Sequence, residues 1–97
     1  MFKEKVETIM SNFGPLDIKV AVISTMGVDY KKPKNCTVVV PLDNDLIHTV
    51  GTVAKAGVYK VIIIDNIFHL YNSYDTLRQV VQHLSEIAKD YKVTIFT

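Results

Sequence analysis

The sequence predicts an α/β fold with a mainly parallel four-stranded sheet of order 2-1-3-4, flanked by three helices. Apolar runs of strand length alternate with amphipathic helical segments along the chain. The runs are rich in Val and Ile, which is typical of strands buried on both faces of a parallel sheet. Right-handed crossovers then give the strand order. The 97 residues have room for one domain, with an N-terminal helix at 1–14 and a sheet core at 18–97.

The three helices have recognisable ends. The first is predicted over residues 2–13 and stops at the Gly-Pro pair that follows. The second begins near 42–45, ends at Gly57, and contains Gly51, which predicts a close packing contact at that point. The third begins near Asp75 and carries the cleanest helical period in the chain. Three residues are candidate caps for the second helix: Asp43, Asn44 and Asp45.

The four strands are predicted at residues 18–23, 37–40, 59–64 and 93–96. The connection between the first two has no helical period and is barely long enough for the crossover that parallel pairing requires. An antiparallel arrangement of the second strand therefore stays open.

Composition excludes several classes of function. The net charge of +1 predicts no global field for nucleic acid or membrane, so such a partner requires a local patch. The single cysteine, Cys36, makes no internal disulfide and is interpreted as a small buried hydrophobe. With no apolar run of about 20 residues and no signal-peptide core, we expect a cytoplasmic protein with no membrane partner.

Three segments of the sequence resemble parts of one known protein family. Residues Val61-Ile-Ile-Ile-Asp65-Asn66 resemble the Walker B strand of the RecA/RadA recombinase superfamily, and residues 77–97 look like the helix and strand that follow in archaeal RadA-like cores. Residues 20–27 are similar to the strand that in active members ends in Thr-Glu-Gly. The resemblance implies a RecA-like parallel core, and with the Ile, Val and Lys content it indicates a thermophilic, archaeal or viral source.

The departures from that family concern catalysis. The sequence has no Gly-x-x-x-x-Gly-Lys-Ser/Thr loop, so the backbone cradle for phosphates is missing. Met26 stands where the family has its catalytic glutamate. ATP hydrolysis needs positioned phosphates, a metal and an activated water. We therefore expect no ATPase activity and no resident cofactor.

Polar residues at the carboxyl ends of the strands are the first candidate site. Ligands bind open α/β sheets at that edge. Asp65 with Asp43 or Asp45 could hold Mg²⁺ through carboxylate oxygens. The competing interpretation is that Asp43 and Asp45 cap a helix while Asp65 binds amides of its own turn.

Two loops are further candidates. The basic loop carries one aromatic and three lysines that could stack on a base and contact phosphates: Tyr30, Lys31, Lys32 and Lys34. A solvated loop is the alternative. The aromatic loop carries Phe68, Tyr71 and Tyr74, which could form a partner surface, a lid or a simple cover of the core.

The last strand predicts self-association. In a RecA-like sheet the missing nucleotide-binding strand would lie beside it, which leaves Val93, Ile95 and Phe96 on an apolar edge. A second copy could cover that edge across a two-fold axis, or the N-terminal helix could do so.

The first hypothesis is accordingly a non-catalytic RecA/RadA-like interaction module, a homodimer that acts with DNA or a DNA-processing protein. The alternatives are a metal-dependent phosphodiester-cleaving enzyme using Asp65 with Asp43 or Asp45, and a small nucleotide-binding Rossmann-like domain.

Overall fold

The computed structural model describes residues 3–41, 45–71 and 73–97. These residues form four strands and four helices, and the chain order confirms the α/β class. The helices are α1 Lys3–Phe13, α2 Leu46–Lys55, α3 Ile67–Leu70 and α4 Tyr74–Tyr91. The strands are β1 Val20–Ser24, β2 Cys36–Val39, β3 Val61–Asp65 and β4 Thr94–Phe96.

The sheet has the predicted order, β2-β1-β3-β4, and all of its pairs are parallel. The direction of β2, which the sequence left open, is therefore settled. The crossover from β1 to β2 is made by residues 25–35 without a helix in the structure. Tyr30 and Val28 of this crossover pack beside α1 on one face of the sheet.

Helices cover both faces of the sheet because side chains alternate along buried strands. Val6 and Met10 of α1 pack on one face against strand residues such as Val22. Helices α2 and α4 pack together on the other face, against strand residues such as Ile62 and Ile64. Helix α1 lies on a face of the sheet, where the Phe13 ring meets that of Phe96 edge to face at 6.4 Å.

The crossover loop is held by Asn35. The two hydrogens of its side-chain amide are shared among three carbonyls, those of Phe13 at 3.0 Å, Leu16 at 3.2 Å and Ile18. The main-chain carbonyl of Asn35 accepts the amide of Val20 at 2.9 Å. One residue therefore ties the end of α1, the start of β1 and the start of β2 together.

The two ends of α2 follow the predicted chemistry, whereas the prediction made for its middle does not hold. Asp45 caps α2 by accepting the amide of His48 at 3.1 Å, whereas Asp43 and Asn44 lie outside the described residues. Gly57 ends the helix with a φ of 74°. A Cβ added at Gly51 meets no other described residue within 4 Å, so the prediction of a close contact there is wrong. Gly51 is thus a propensity cost that no packing contact explains.

Other differences from the sequence prediction are local. The strands begin or end one or two residues away from the predicted bounds. Helix α3 lies within the segment interpreted as a loop, and its N-cap is Asn66, whose side chain accepts the amide of Phe68 at 3.0 Å. Within the described part of the chain, no helix is both long and apolar enough to span a bilayer.

Candidate functional site

The polar residues at the end of the sheet meet at its topological switch point. Ser24 ends β1, Asp65 ends β3, and the two are register partners in neighbouring strands. The chain leaves β1 toward β2 on one side and leaves β3 toward β4 on the other. In open α/β sheets the crevice at such a point is where ligands bind. The prediction that Asp65 lies at this edge is thus confirmed, and Ser24 lies beside it.

Tyr30 completes this switch-point cluster, defined here as Ser24, Tyr30 and Asp65. Its hydroxyl donates to Oδ2 of Asp65 at 2.6 Å and lies 3.4 Å from Oγ of Ser24. The Ser24 hydroxyl in turn accepts the amide of Val28 at 3.0 Å. All three side chains of the cluster are buried. Burial, followed by the hydrogen bond to Asp65, raises the pKa of Tyr30 to about 12.

Thr25 and Asn66 join the two strand ends beside the cluster. The amide of Thr25 donates to the carbonyl of Asp65 at 2.8 Å. The Thr25 hydroxyl lies 3.0 Å from both the carbonyl and the amide of Asn66, so it can donate to one and accept from the other. The peptide bond between Asp65 and Asn66 is cis. The backbone around Asp65 is therefore fixed from the β1 side.

The predicted magnesium site stays a prediction. Asp65 accepts a hydrogen bond from Tyr30 across the sheet, and its binding to amides of its own turn stays a prediction. Asp45 is an exposed helix cap, and Asp43 lies outside the described residues. Among residues 3–41, 45–71 and 73–97, no three His, Cys, Asp or Glu side chains lie close enough to hold a metal.

The basic loop is arranged differently from a base-stacking surface. Tyr30 is only 7% exposed, so its ring packs in the core and is not placed to stack on a nucleic-acid base. The Nζ of Lys32 donates to the carbonyl of Cys36 at 3.2 Å, and the amide of Lys31 donates to Glu7 at 2.7 Å. Lys31 and Lys34 have exposed side chains. The loop therefore presents cations without the aromatic partner that the sequence interpretation assigned to them.

Lys32 also protects the outer edge of β2. The carbonyl of Asn35 accepts from Val20 of β1, so the backbone of the next residue, Cys36, points away from the sheet. The Lys32 ammonium binds the Cys36 carbonyl on that outer side. Lysine on an edge strand is a common device against edge-to-edge pairing. Cys36 itself is buried as predicted, and burial raises the pKa of its thiol.

Strand β4 forms the opposite edge. The amide of Thr94 donates to the backbone carbonyl of Lys60 at 2.9 Å, toward β3. The N–H and C=O of the next residue, Ile95, therefore point to the side of β4 away from β3. Val93 is buried, while Ile95 and Phe96 are partly exposed. Between β4 and α4 lies a groove of about 150 Å³, called here the β4 groove, lined by Val81, Leu84, Ser85, Ala88, Ile95 and Thr97.

The aromatic loop divides into two parts. Phe68 is 63% exposed and Tyr74 is 76% exposed, as a partner surface requires. Tyr71 is half-buried against the α2/α4 core, and burial raises the pKa of its hydroxyl. Core cover therefore describes Tyr71, whereas Phe68 and Tyr74 lie on the surface.

Sequence reasoning did not find a cavity between the end of β2 and α2. It has a volume of about 290 Å³ and is lined in part by Val40, His48 and Thr52. His48 and Thr52 share one face of α2, so helical spacing is the signal that could have paired them. Val40 follows β2 and lies outside any helix, so no helical spacing links it to His48 and Thr52.

The fold and the cluster together define a small parallel α/β domain with a buried Tyr-Asp pair at its switch point. Comparisons with protein-family models, with curated proteins and with solved structures give no match to this chain.

Proposed function

We propose that the protein is a non-catalytic interaction module that resembles a RecA/RadA core and associates with a second copy of itself through β4. The observation that carries this proposal is the orientation of Ile95, whose backbone N–H and C=O point to the open side of an edge strand. An antiparallel partner strand related by a two-fold axis at Ile95 would exchange two hydrogen bonds with it.

The β4 groove supports the same partner. Val81 on α4 is 44% exposed beside the small side chains of Ser85 and Ala88. Small residues allow two helices to approach closely, and Val81 adds apolar area. A two-fold axis at β4 would bring this part of α4 next to its own copy. The β2 edge is less suited to pairing because Lys32 occupies it.

The resemblance to a RecA/RadA core supports the proposal that the protein is non-catalytic. Among the described residues no strand pairs with the outer side of β4, which is where the resemblance locates the nucleotide-binding strand. Met26 is 61% exposed and has no acid-base chemistry. Asp65, the Walker B-like carboxylate, is engaged by Tyr30. These features favour binding over turnover.

The experiment is a solution mass measured by light scattering for three matched chains. The wild type is expected at twice its 10.9 kDa mass. Ile95→Pro removes an outward N–H and keeps the pairing with β3, so it is expected to be a folded monomer. Val38→Pro makes the same change on the β2 edge and is expected to stay dimeric. A wild type that is monomeric at every concentration, or a monomeric Val38→Pro, contradicts the proposal.

A metal-dependent phosphodiester-cleaving enzyme is the second candidate, and the observation that favours it is a buried carboxylate, Asp65, at the switch point. On this alternative Mg²⁺ or Mn²⁺ raises the melting temperature of the wild type and leaves that of Asp65→Asn unchanged. A melting temperature that does not respond to either metal eliminates the alternative.

A further inference from the structure

A lysine precedes each of the four strands. Lys19 and Lys60 stand directly before β1 and β3, while Lys34 and Lys92 stand two residues before β2 and β4. All four side chains are exposed. We call them the lysine row.

Parallel pairing brings the lysine row to one end of the sheet. Along the sheet the order is Lys34, Lys19, Lys60 and Lys92, because the strand order is β2-β1-β3-β4. The amide of Lys60 donates to the carbonyl of Lys19 at 3.1 Å, so these two are neighbours in register. With strands about 4.8 Å apart, four positions span about 14 Å.

Two helices add charge to the same end. Lys55 is in the last turn of α2 and Lys89 is in the last turn of α4. Lysine near a helix C-terminus is favoured by the helix dipole, so these two have a structural reason. Within three residues of these six lysines the described acidic residues are Asp17, Glu86 and Asp90, which are fewer than the lysines.

The opposite end of the sheet is acidic. Asp29, Asp45 and Asp75 are exposed there. The described segments at that end, residues 25–29, 45–48, 65–71 and 73–76, contain neither lysine nor arginine. The net charge of +1 therefore hides a separation of charge along the strand direction.

The helix dipole, which accounts for Lys55 and Lys89, does not account for Lys19 and Lys60, because these two precede strands. Like charges directly opposite each other on neighbouring strands destabilise a sheet. The backbone bond from Lys60 to Lys19 makes them such neighbours, and both side chains follow the alternation toward the face that α2 and α4 cover. Two exposed cations at neighbouring register positions suit a polyanionic partner.

We propose that the lysine row binds the phosphate backbone of a nucleic acid, independently of base sequence. A nucleic-acid strand in a duplex carries one phosphate per 3.4 Å of helix axis, so a row of about 14 Å faces about four phosphates. Lysine acts on phosphate as a point charge that carries no base readout. The linear arrangement of the cations along a sheet end matches a linear polyanion.

This inference deepens the hypothesis, drawn from the sequence, that the protein acts with DNA, and it is independent of the self-association proposed through β4. A monomeric chain that binds DNA through Lys19 and Lys60 would overturn self-association and leave the inference intact. A dimer that binds no nucleic acid would overturn the inference and leave self-association intact.

The test compares two double variants that remove equal charge from exposed positions. Lys19→Gln/Lys60→Gln changes the lysine row, and Lys3→Gln/Lys5→Gln changes α1. Binding of a labelled oligonucleotide of about 20 nucleotides, as single strand and as duplex, is followed by fluorescence anisotropy at salt from about 50 to 200 mM. Melting temperatures confirm that each variant is folded.

For wild type we expect binding that weakens steeply with salt. Loss of two phosphate contacts in the row variant should make the negative slope of log K against log salt shallower, by about 1.4 for single strands and about 1.8 for duplex. The α1 variant should keep the wild-type slope. Equal losses in both variants, or wild type that binds phosphatidylserine vesicles but neither oligonucleotide, would overturn the proposal.

Discussion

The hydroxyl of Tyr30 donates a 2.6 Å hydrogen bond to Oδ2 of Asp65, which joins the β1–β2 crossover to the end of β3. The two residues lie far apart in sequence and belong to segments that are not adjacent in the chain. Both are buried, so the bond is shielded from water. The crossover, which lacks a helix, is thereby held by a charge-assisted contact.

Removing that hydroxyl should destabilise the protein. In Tyr30→Phe, the buried carboxylate of Asp65 loses the Tyr30 donor, which costs about 1.5–3 kcal/mol for a hydrogen bond to a charged group. Urea denaturation measures the free energy of unfolding. Tyr74→Phe is the matched control, since Tyr74 is 76% exposed and its change should stay within about 0.5 kcal/mol. Equal stability of the two variants would show that the Tyr30–Asp65 bond contributes nothing.

The same bond predicts a loss of stability at alkaline pH. Burial and the hydrogen bond to Asp65 raise the pKa of Tyr30 from 10.0 to about 12. Between these values the unfolded chain has released the proton and the folded chain still holds it, so stability falls as pH rises from 10 through 12. Urea denaturation at about pH 9 and about pH 11 should show a larger decrease for wild type than for Tyr30→Phe. Equal decreases would assign the effect to other groups.

Asn35 predicts a graded effect of two substitutions. Its side-chain amide donates to carbonyls of Phe13, Leu16 and Ile18. Asn35→Ala should cost about 1–3 kcal/mol, because those carbonyls lose their donor. Asn35→Asp keeps the shape and replaces the donors by an anion facing three carbonyls, so it should cost more. Chemical denaturation at neutral pH checks the order, and an Asp variant that is more stable than the Ala variant contradicts it.

Two glycines near α2 should respond oppositely to alanine. A Cβ at Gly51 meets nothing within 4 Å, so Gly51→Ala should stabilise the helix by about 0.5–1 kcal/mol. Gly57 has a φ of 74°, so Gly57→Ala should destabilise by about 1 kcal/mol through the strained left-handed backbone. Thermal unfolding by circular dichroism compares both with wild type. Shifts of the same sign would contradict the helix position assigned to Gly51.

The regular parts of the fold were predictable because local periodicity and tertiary burial agree. Val20–Ser24 and Val61–Asp65 are fully buried strands, as their continuous apolar character predicts. Asp45 and Gly57 mark helix ends through chemistry that acts over one turn. The position of Asp65 at the switch point followed from the strand order alone.

The contacts of the crossover could not be predicted, because nothing local determines where a loop side chain points. Tyr30 follows Asp29 and precedes three lysines within a few residues, and that pattern equally suits an exposed loop. Its inward direction depends on β2 being parallel to β1, which brings the loop across the sheet. Likewise, the lysine row exists only once four separate strands are aligned in parallel.

The register of the sheet also has a consequence for the order of folding. Pairing of β1 with β2 closes a loop of about 15 residues, whereas β1 with β3 and β3 with β4 require closures of about 30–40 residues, and closure entropy rises with loop length. We therefore expect the β1–β2 unit to form early, and β3 to dock onto it as Tyr30 meets Asp65. Nucleation then starts at the β2 side of the sheet, and the closures of β1 with β3 and of β3 with β4 are too similar in length for closure entropy to order them.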